Sequence, residues 1–186
     1  MMNPAFIGLI GAIVGAIIGG GTAILNSHLN SGYQLQLEKE KGLIARRDTL
    51  SKELRSCVAE VAREMLSAQH SMEWVCWSAA KGPHLVSEEL IAQYQKEIHG
   101  TFPKLLGALA AVSSLNVGSY KALAALAEQI YTVDEKIADA FAQYKTAPEQ
   151  TVKLLVQYHP DAVALYRSLP LDLARIMKSV NEGGEG

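Results

Sequence analysis

Cysteine is scarce in this chain. Cys57 and Cys76 are the only two among 186 residues. If both lie on one continuous helix, a rise of about 1.5 Å per residue separates them by about 28 Å, far beyond the span of a disulfide. A cross-linked framework is therefore not expected. We expect Cys76, which lies between Trp74 and Trp77, to be a small buried hydrophobic side chain rather than a reactive thiol.

Signals for β-strands and for nucleic-acid binding are also absent from the sequence. β-Branched residues never alternate with polar ones over a useful length, and no Asn-Gly or Asp-Gly pair marks a hairpin turn. The net charge is only -2, and no cluster of basic residues with interleaved aromatics occurs. The sequence therefore predicts an all-α protein that does not bind nucleic acid.

Recognisable catalytic motifs are missing as well. No Gly-rich phosphate loop follows a strand, and no Gly-x-Ser-x-Gly elbow is present. A di-iron site in a helical bundle needs a glutamate three residues before a histidine. No glutamate stands at that position before His70, His84, His99 or His159. We expect no enzyme activity, no cofactor and no metal site. The less favoured alternative is an enzyme with an unfamiliar bundle site, for which His70, Glu73 and His99 are the first residues to test.

What the chain does contain is a long apolar run near its start. The residues from Pro4 to Leu25 are uncharged and almost wholly apolar, which matches the ~20 residues that a helix needs to cross a bilayer. No Lys or Arg precedes the run, and it is longer than the ~7–15 apolar residues of a cleaved signal peptide. We therefore predict an uncleaved transmembrane anchor over residues 1–27, embedded in the lipid bilayer.

Small residues recur at helical spacing inside this apolar run. They are Gly8, Gly11, Ala12, Gly15, Ala16, Gly19 and Gly20. Small residues at every fourth position let two membrane helices approach closely, so Gly11, Gly15 and Gly19 predict packing against a second copy or another membrane protein. The alternative is a monomeric anchor, because glycine is common in membrane helices.

The charges that flank the predicted anchor indicate its orientation. Basic residues appear only after it, at Lys39, Lys41, Arg46 and Arg47, although glutamates are interspersed among them. Cytoplasmic flanks carry the excess of Lys and Arg. We therefore expect a single-pass protein of the cell inner membrane, with its N-terminus outside and its C-terminal domain in the cytoplasm.

The rest of the chain has helical periodicity throughout. Apolar residues at spacings of three and four predict a long amphipathic helix that starts as early as Tyr33 and ends before Gly82 and Pro83. An antiparallel helical bundle is the natural packing of this helix with those that follow it. The predicted layout after the anchor is a juxtamembrane stalk over 28–49, a bundle over 50–180 and a disordered tail over 181–186.

Capping and breaking residues predict the bounds of the later helices. Ser87 is expected to cap a second helix, which residues 100–103 either kink or break, and Ser119 to cap the next. Three prolines then predict a series of short helices, because proline suits the first helical turn. These are Pro148, Pro160 and Pro170.

Trp74 and Trp77 are the remaining candidates for a functional surface. Both lie near the end of the long amphipathic helix. Because they are three residues apart, their side chains share one helix face. The favoured interpretation is that one of them plugs the end of the bundle. The alternative is that both are exposed and mark a surface for a partner, since tryptophan is enriched in binding hot spots.

The N-terminal arrangement is a Gly-rich anchor from Gly8 to Leu25, the segment Asn26 to Leu29, and a charged helix with Glu38 to Lys41 and Arg46/Arg47. It resembles small uncharacterised prokaryotic single-pass membrane proteins, which are often associated with mobile elements. The resemblance covers mainly the chain up to Leu50 and transfers no catalytic residues. It implies an inner-membrane protein that serves in defence against phage or as an accessory of a membrane complex.

A binding function is favoured by the predicted anchor, by the predicted bundle and by the lack of catalytic motifs. We expect a non-enzymatic, membrane-tethered helical interaction protein that self-associates through the small-residue face and presents a cytoplasmic bundle, as a phage-defence-type membrane effector would. The alternative is an accessory or scaffold subunit of a larger membrane complex.

Overall fold

A computed structural model describes the backbone of residues 4–182 and the side chains of residues 30, 31 and 33–182. The described part contains four α-helices and a 3-10 turn at Pro83–Leu85, with no strand. The helices are α1 (Pro4–Lys81), α2 (Glu88–Leu115), α3 (Val117–Ala142) and α4 (Pro148–Glu182). The prediction of an all-α protein is therefore confirmed.

The chain divides into two compact units, Met1–Asp48 and Thr49–Gly186. In the first unit, the described side chains from residue 30 to residue 48 are all exposed. The second unit contains the last part of α1 together with α2, α3 and α4, and these four helices form a bundle with its own core.

The predicted anchor over residues 1–27 lies outside the residues whose side chains the structure describes. The same holds for every residue of its small face: Gly8, Gly11, Ala12, Gly15, Ala16, Gly19 and Gly20. Among the residues whose side chains are described, no helix combines the length and the apolar character that a membrane crossing requires.

The core of the second unit is built from one apolar stripe on each helix. Its largest fully buried side chains include Met65 and Met72 on α1, Leu105 on α2, Ile130 on α3 and Leu155 on α4. Full burial of such a side chain contributes about 1.5–3 kcal/mol relative to exposure. Buried positions separated by three or four residues are therefore what holds these helices together.

Contacts between α3 and α4 show that the two helices run antiparallel. Lys136 Nζ lies 2.8 Å from Asp161 Oδ2, and nearer the connection Thr151 Oγ1 donates a 2.9 Å hydrogen bond to the carbonyl of Ala140. Between these two contacts the residue number rises along α3 and falls along α4, as it does only when two neighbouring helices are antiparallel. The short connections of the bundle produce this arrangement.

The start of α2 is as predicted, and of the two alternatives for residues 100–103 the break does not occur. Ser87 Oγ accepts a hydrogen bond from the Leu90 N–H, and this serine also lowers the pKa of the neighbouring Glu89 carboxyl by hydrogen bonding. Pro103 lies inside a continuous helix on its exposed side, while Thr101 and Leu105 beside it are buried. Packing of the buried stripe therefore carries α2 past the proline without a break.

The cap of α3 is Asn116 rather than Ser119, so that prediction was wrong. Asn116 Oδ1 accepts a 2.8 Å hydrogen bond from the Ser119 N–H, and the Asn116 N–H donates to the carbonyl of Val112. One residue thus ends α2 and starts α3. Ser119 already lies inside the first turn, where its N–H is the group that needs an acceptor.

The prediction of separate short helices at the C-terminal end was also wrong. Pro148 begins α4 as expected, but Pro160 and Pro170 lie inside this one helix, and both are exposed. The buried face of α4 continues through Ala162 and Leu173. The helix extends through Glu182, and residues 183–186 of the predicted tail lie outside the described residues.

Replacing Gly107 by Ala is expected to stabilise the bundle by about 0.5–1 kcal/mol, because glycine in a helix interior costs backbone entropy. Gly107 is exposed within α2, and an added Cβ would meet no atom within 4 Å. Chemical denaturation should show a higher midpoint with an unchanged slope. Gly118→Ala is the control, since its Cβ would lie 3.3 Å from the capping Asn116 Oδ1 and should yield a smaller gain or a loss. An equal gain at both positions would contradict this explanation.

Candidate functional site

The two tryptophans form a stacked pair on α1, within the second unit. Their ring centroids are 5.1 Å apart and their planes differ by 20°. Trp74 is 46% exposed and Trp77 is half-buried, so neither belongs to the buried core. The Lys81 ammonium lies 5.6 Å from the centroid of the Trp77 ring, which is a cation–π contact. The pair is therefore a surface feature that already attracts one cation.

A groove lies beside Trp74, between α1 and α2. Its volume is about 340 Å³, within the range of roughly 300–1,000 Å³ typical of small-ligand pockets. We call it the tryptophan groove, and the residues that line it are His70, Ser71, Trp74, Gln93 and Glu97. It places an indole, an imidazole, a carboxamide and a carboxylate around one space.

The carboxylate of Glu97 is held in place from both sides. Ser71 Oγ donates a 2.8 Å hydrogen bond to Glu97 Oε2, and Gln93 Nε2 donates a 3.0 Å hydrogen bond to Glu97 Oε1. Ser71 is only 7% exposed, so α1 supplies a fixed donor. A carboxylate offers about four acceptor positions, and two remain for a further donor. Glu97 is thus an oriented acceptor at the edge of the groove.

A second polar pair connects α2 and α3. Tyr94 is 3% exposed, and its hydroxyl donates a 2.6 Å hydrogen bond to Asp134 Oδ1. Burial is the main cause that raises the pKa of the Tyr94 phenol, with the Asp134 charge adding to it. Burial also raises the pKa of Asp134, against the opposing effects of the Tyr94 hydrogen bond and of nearby His99. The Asp134 carboxylate is therefore a partly desolvated charge that accepts a hydrogen bond from the Tyr94 hydroxyl.

The three residues first suggested for an enzyme site do not line one common cavity. His70 lines the tryptophan groove, whereas His99 lines a separate cavity of about 100 Å³ beside Tyr94 and Asp134. Glu73 lines neither of these two cavities. Across the described part of the chain, no group of three His, Cys, Asp or Glu side chains could hold a metal ion.

Cys76 is buried, as predicted for a small hydrophobic side chain. Burial, with smaller contributions from the Glu73 and Asp161 charges, raises the pKa of its thiol to about 12. The reactive form of cysteine is the thiolate, which is scarce at neutral pH when the pKa is this high. Cys76 is therefore part of the core and not a nucleophile.

Ser71, Gln93 and Glu97 are the residues that sequence reasoning missed. The spacing of Gln93 and Glu97 by four residues, and of Ser71 and Trp74 by three, indicates a shared helix face in each case. Nothing in that local spacing says that the two faces meet. No known protein family, curated protein or solved structure matches this chain, so its own residues carry the interpretation.

Proposed function

We propose that the protein is a non-enzymatic, membrane-tethered helical interaction protein. Residues 1–27 anchor it in the inner membrane and associate through their small-residue face, while the bundle faces the cytoplasm and binds a partner. The observation that carries this proposal is the tryptophan groove, where the exposed ring of Trp74, stacked on Trp77, borders an oriented carboxylate. Exposed aromatic side chains beside oriented polar groups are typical of binding surfaces.

The side chains of the first unit support self-association. Directly after the predicted anchor, α1 exposes large apolar side chains, among them Tyr33 at 70%, Leu37 at 49% and Ile44 at 61%. These three positions lie within one narrow stripe of the helix, because separations of four and seven residues bring side chains to the same face. Such a stripe loses unfavourable contact with water when a second helix packs against it. Association of the anchors would bring two such helices together.

Two versions of the proposal differ in what the bundle binds. In the first, a phage-defence-type membrane effector, the bundle recognises a signal and the anchors of identical copies cluster in the membrane. In the second, the protein is an accessory or scaffold subunit, and the bundle holds a component of a larger membrane complex. The resemblance at the N-terminal end is compatible with both.

The test is to purify the tagged full-length protein from its native membrane in mild detergent and to measure its mass together with any chains that co-purify. A homo-oligomer without other chains supports the effector version. Foreign subunits in fixed stoichiometry support the accessory version. A monomer without partners would contradict the proposal.

Replacing Gly11, Gly15 and Gly19 together by Leu is expected to shift the detergent-solubilised protein to a monomer, because bulky side chains block close approach of two backbones. Membrane insertion should not change, since the run remains apolar. The matched control replaces the bulky Ile10, Val14 and Ile17 by Leu, which leaves the small face intact and should preserve the oligomer. An unchanged mass after the glycine replacements would refute packing through this face.

A further inference from the structure

We propose that the tryptophan groove binds the guanidinium group of an arginine side chain presented by a partner protein. This proposal rests on the proposed function, because it names the partner chemistry for the surface at Trp74. Its three supports are the aromatic wall, the oriented carboxylate and the charge of the groove.

The aromatic wall is Trp74. Stacking against Trp77, with centroids 5.1 Å apart, fixes the plane of the indole, while 46% of Trp74 stays exposed. The negative face of an indole attracts cations, and arginine is the cation found there most often. Lys81 already lies over Trp77, so the stacked pair shows this attraction within the protein, and Trp74 is the ring left for a second cation.

The carboxylate is Glu97. Ser71 and Gln93 each donate to a different oxygen of it, which leaves one further acceptor position on each oxygen. Two oxygens that are both available match the planar fork of a guanidinium, which forms two parallel hydrogen bonds with a carboxylate. An ammonium group makes a point contact and is more strongly hydrated, so arginine suits this arrangement better than lysine.

The charge of the groove favours a cation over an anion. None of the five residues that line it is a lysine or an arginine, and no salt bridge among the described residues uses Glu97. Glu97 is therefore an acidic side chain of the groove that forms no salt bridge within the described part of the chain. An incoming guanidinium would neutralise it and stack on Trp74 at the same time.

Intrinsic fluorescence reports directly on this groove, because Trp74 and Trp77 are the only two tryptophans of the protein. The experiment titrates the full-length protein in detergent with acetyl-Gly-Arg-Gly-amide and follows the tryptophan emission. The matched probe is the same peptide with citrulline, which keeps the planar shape but has no charge. We expect a saturable change with the arginine peptide and binding at least about tenfold weaker with the citrulline peptide, because hydrogen bonds to charged groups are the strong ones.

Two variants identify the residues responsible. Glu97→Gln should weaken arginine-peptide binding about two- to fivefold, since it keeps the shape and removes the charge of an exposed side chain. Trp74→Leu should abolish the change in the emission of the remaining Trp77. The control is Glu128→Gln, an exposed glutamate on α3 outside the groove, which should bind as the unmodified protein does. Circular dichroism and thermal unfolding should show that all three variants keep the fold.

The proposal is overturned if no saturable change occurs, if the citrulline peptide binds equally well, or if Glu97→Gln binds like the unmodified protein. Failure of this proposal and failure of the proposed function are distinguishable. Glu97→Gln and Trp74→Leu should leave the oligomeric mass unchanged, whereas the glycine replacements in the anchor should change the mass and leave peptide binding intact. If the protein is an oligomer but does not bind the arginine peptide, only the proposal of an arginine site is refuted, and the proposed function stands.

Discussion

Replacing Leu105 by Ala is expected to lower the free energy of unfolding by about 2–5 kcal/mol. Leu105 is 0% exposed at the centre of the α2 stripe, so truncation removes buried apolar surface and leaves a cavity that the surrounding helices fill only in part. A loss of this size is a large share of the ~5–15 kcal/mol by which single domains are stable. Urea denaturation followed by circular dichroism measures it.

The chain offers a matched control in the next residue. Leu106 belongs to the same helix and is 57% exposed, so Leu106→Ala makes the same chemical change outside the core. Leucine and alanine differ little in helix propensity, and surface substitutions usually stay within about 0.5 kcal/mol. Equal losses at the two positions would contradict the burial pattern of α2 and with it the packing of the bundle.

Replacing Tyr94 by Phe is expected to cost about 1.5 kcal/mol of stability at neutral pH, the lower end of the range for a hydrogen bond to a charged group. The change keeps the buried ring and its edge contact with Phe141, and it removes only the hydroxyl that donates to Asp134. The carboxylate is then left partly desolvated without that donor. Because Asp134 retains some access to water, the larger losses of stability that follow when a fully buried charge loses its partner do not apply.

The cost of Tyr94→Phe should depend on pH. Burial raises the pKa of Asp134 in the folded protein, so the folded state binds the proton more tightly than the unfolded state does. The stabilisation linked to this group is therefore complete below the ordinary aspartate pKa of 3.8 and is lost as the pH rises through the raised value. Without the Tyr94 hydroxyl that pKa rises further, so the loss is greatest at neutral pH and shrinks in acid.

Denaturation of both proteins at neutral pH and below pH 3.8 measures this difference. Asp134→Asn supplies the control, because the amide oxygen still accepts the Tyr94 hydrogen bond but cannot ionise. When Tyr94→Phe is added to the Asp134→Asn variant, removal of the hydroxyl should cost the same at both pH values. A pH-independent cost in the presence of Asp134 would refute a role for the aspartate charge.

Local sequence patterns were sufficient for the end of α1 and for the starts of α2 and α4. The three-and-four spacing of apolar residues predicts the long helix that ends at Lys81, and Ser87 caps α2 as its position indicates. These signals succeed because hydrogen bonds and caps within a helix involve residues that are close in the chain. The same local rules misplaced the start of α3, since Asn116 serves as the end of one helix and the cap of the next.

Proline rules failed where tertiary packing outweighed them. Pro103, Pro160 and Pro170 all lie inside continuous helices. Each proline removes one backbone hydrogen bond and costs about 3 kcal/mol in a helix interior. Several buried apolar side chains on the same helix contribute more than that together, so a helix that packs well continues through a proline on its exposed side.

By itself, the sequence determined that the described chain is helical and which side chains form each apolar stripe, because a period of 3.6 residues is a local property. The tertiary structure alone decided which stripes and faces meet. Ser71 reaches Glu97 across 26 positions of the chain, and Tyr94 reaches Asp134 across 40. Such pairs depend on how α2 packs against α1 and α3, and side-chain packing over the whole core sets that arrangement.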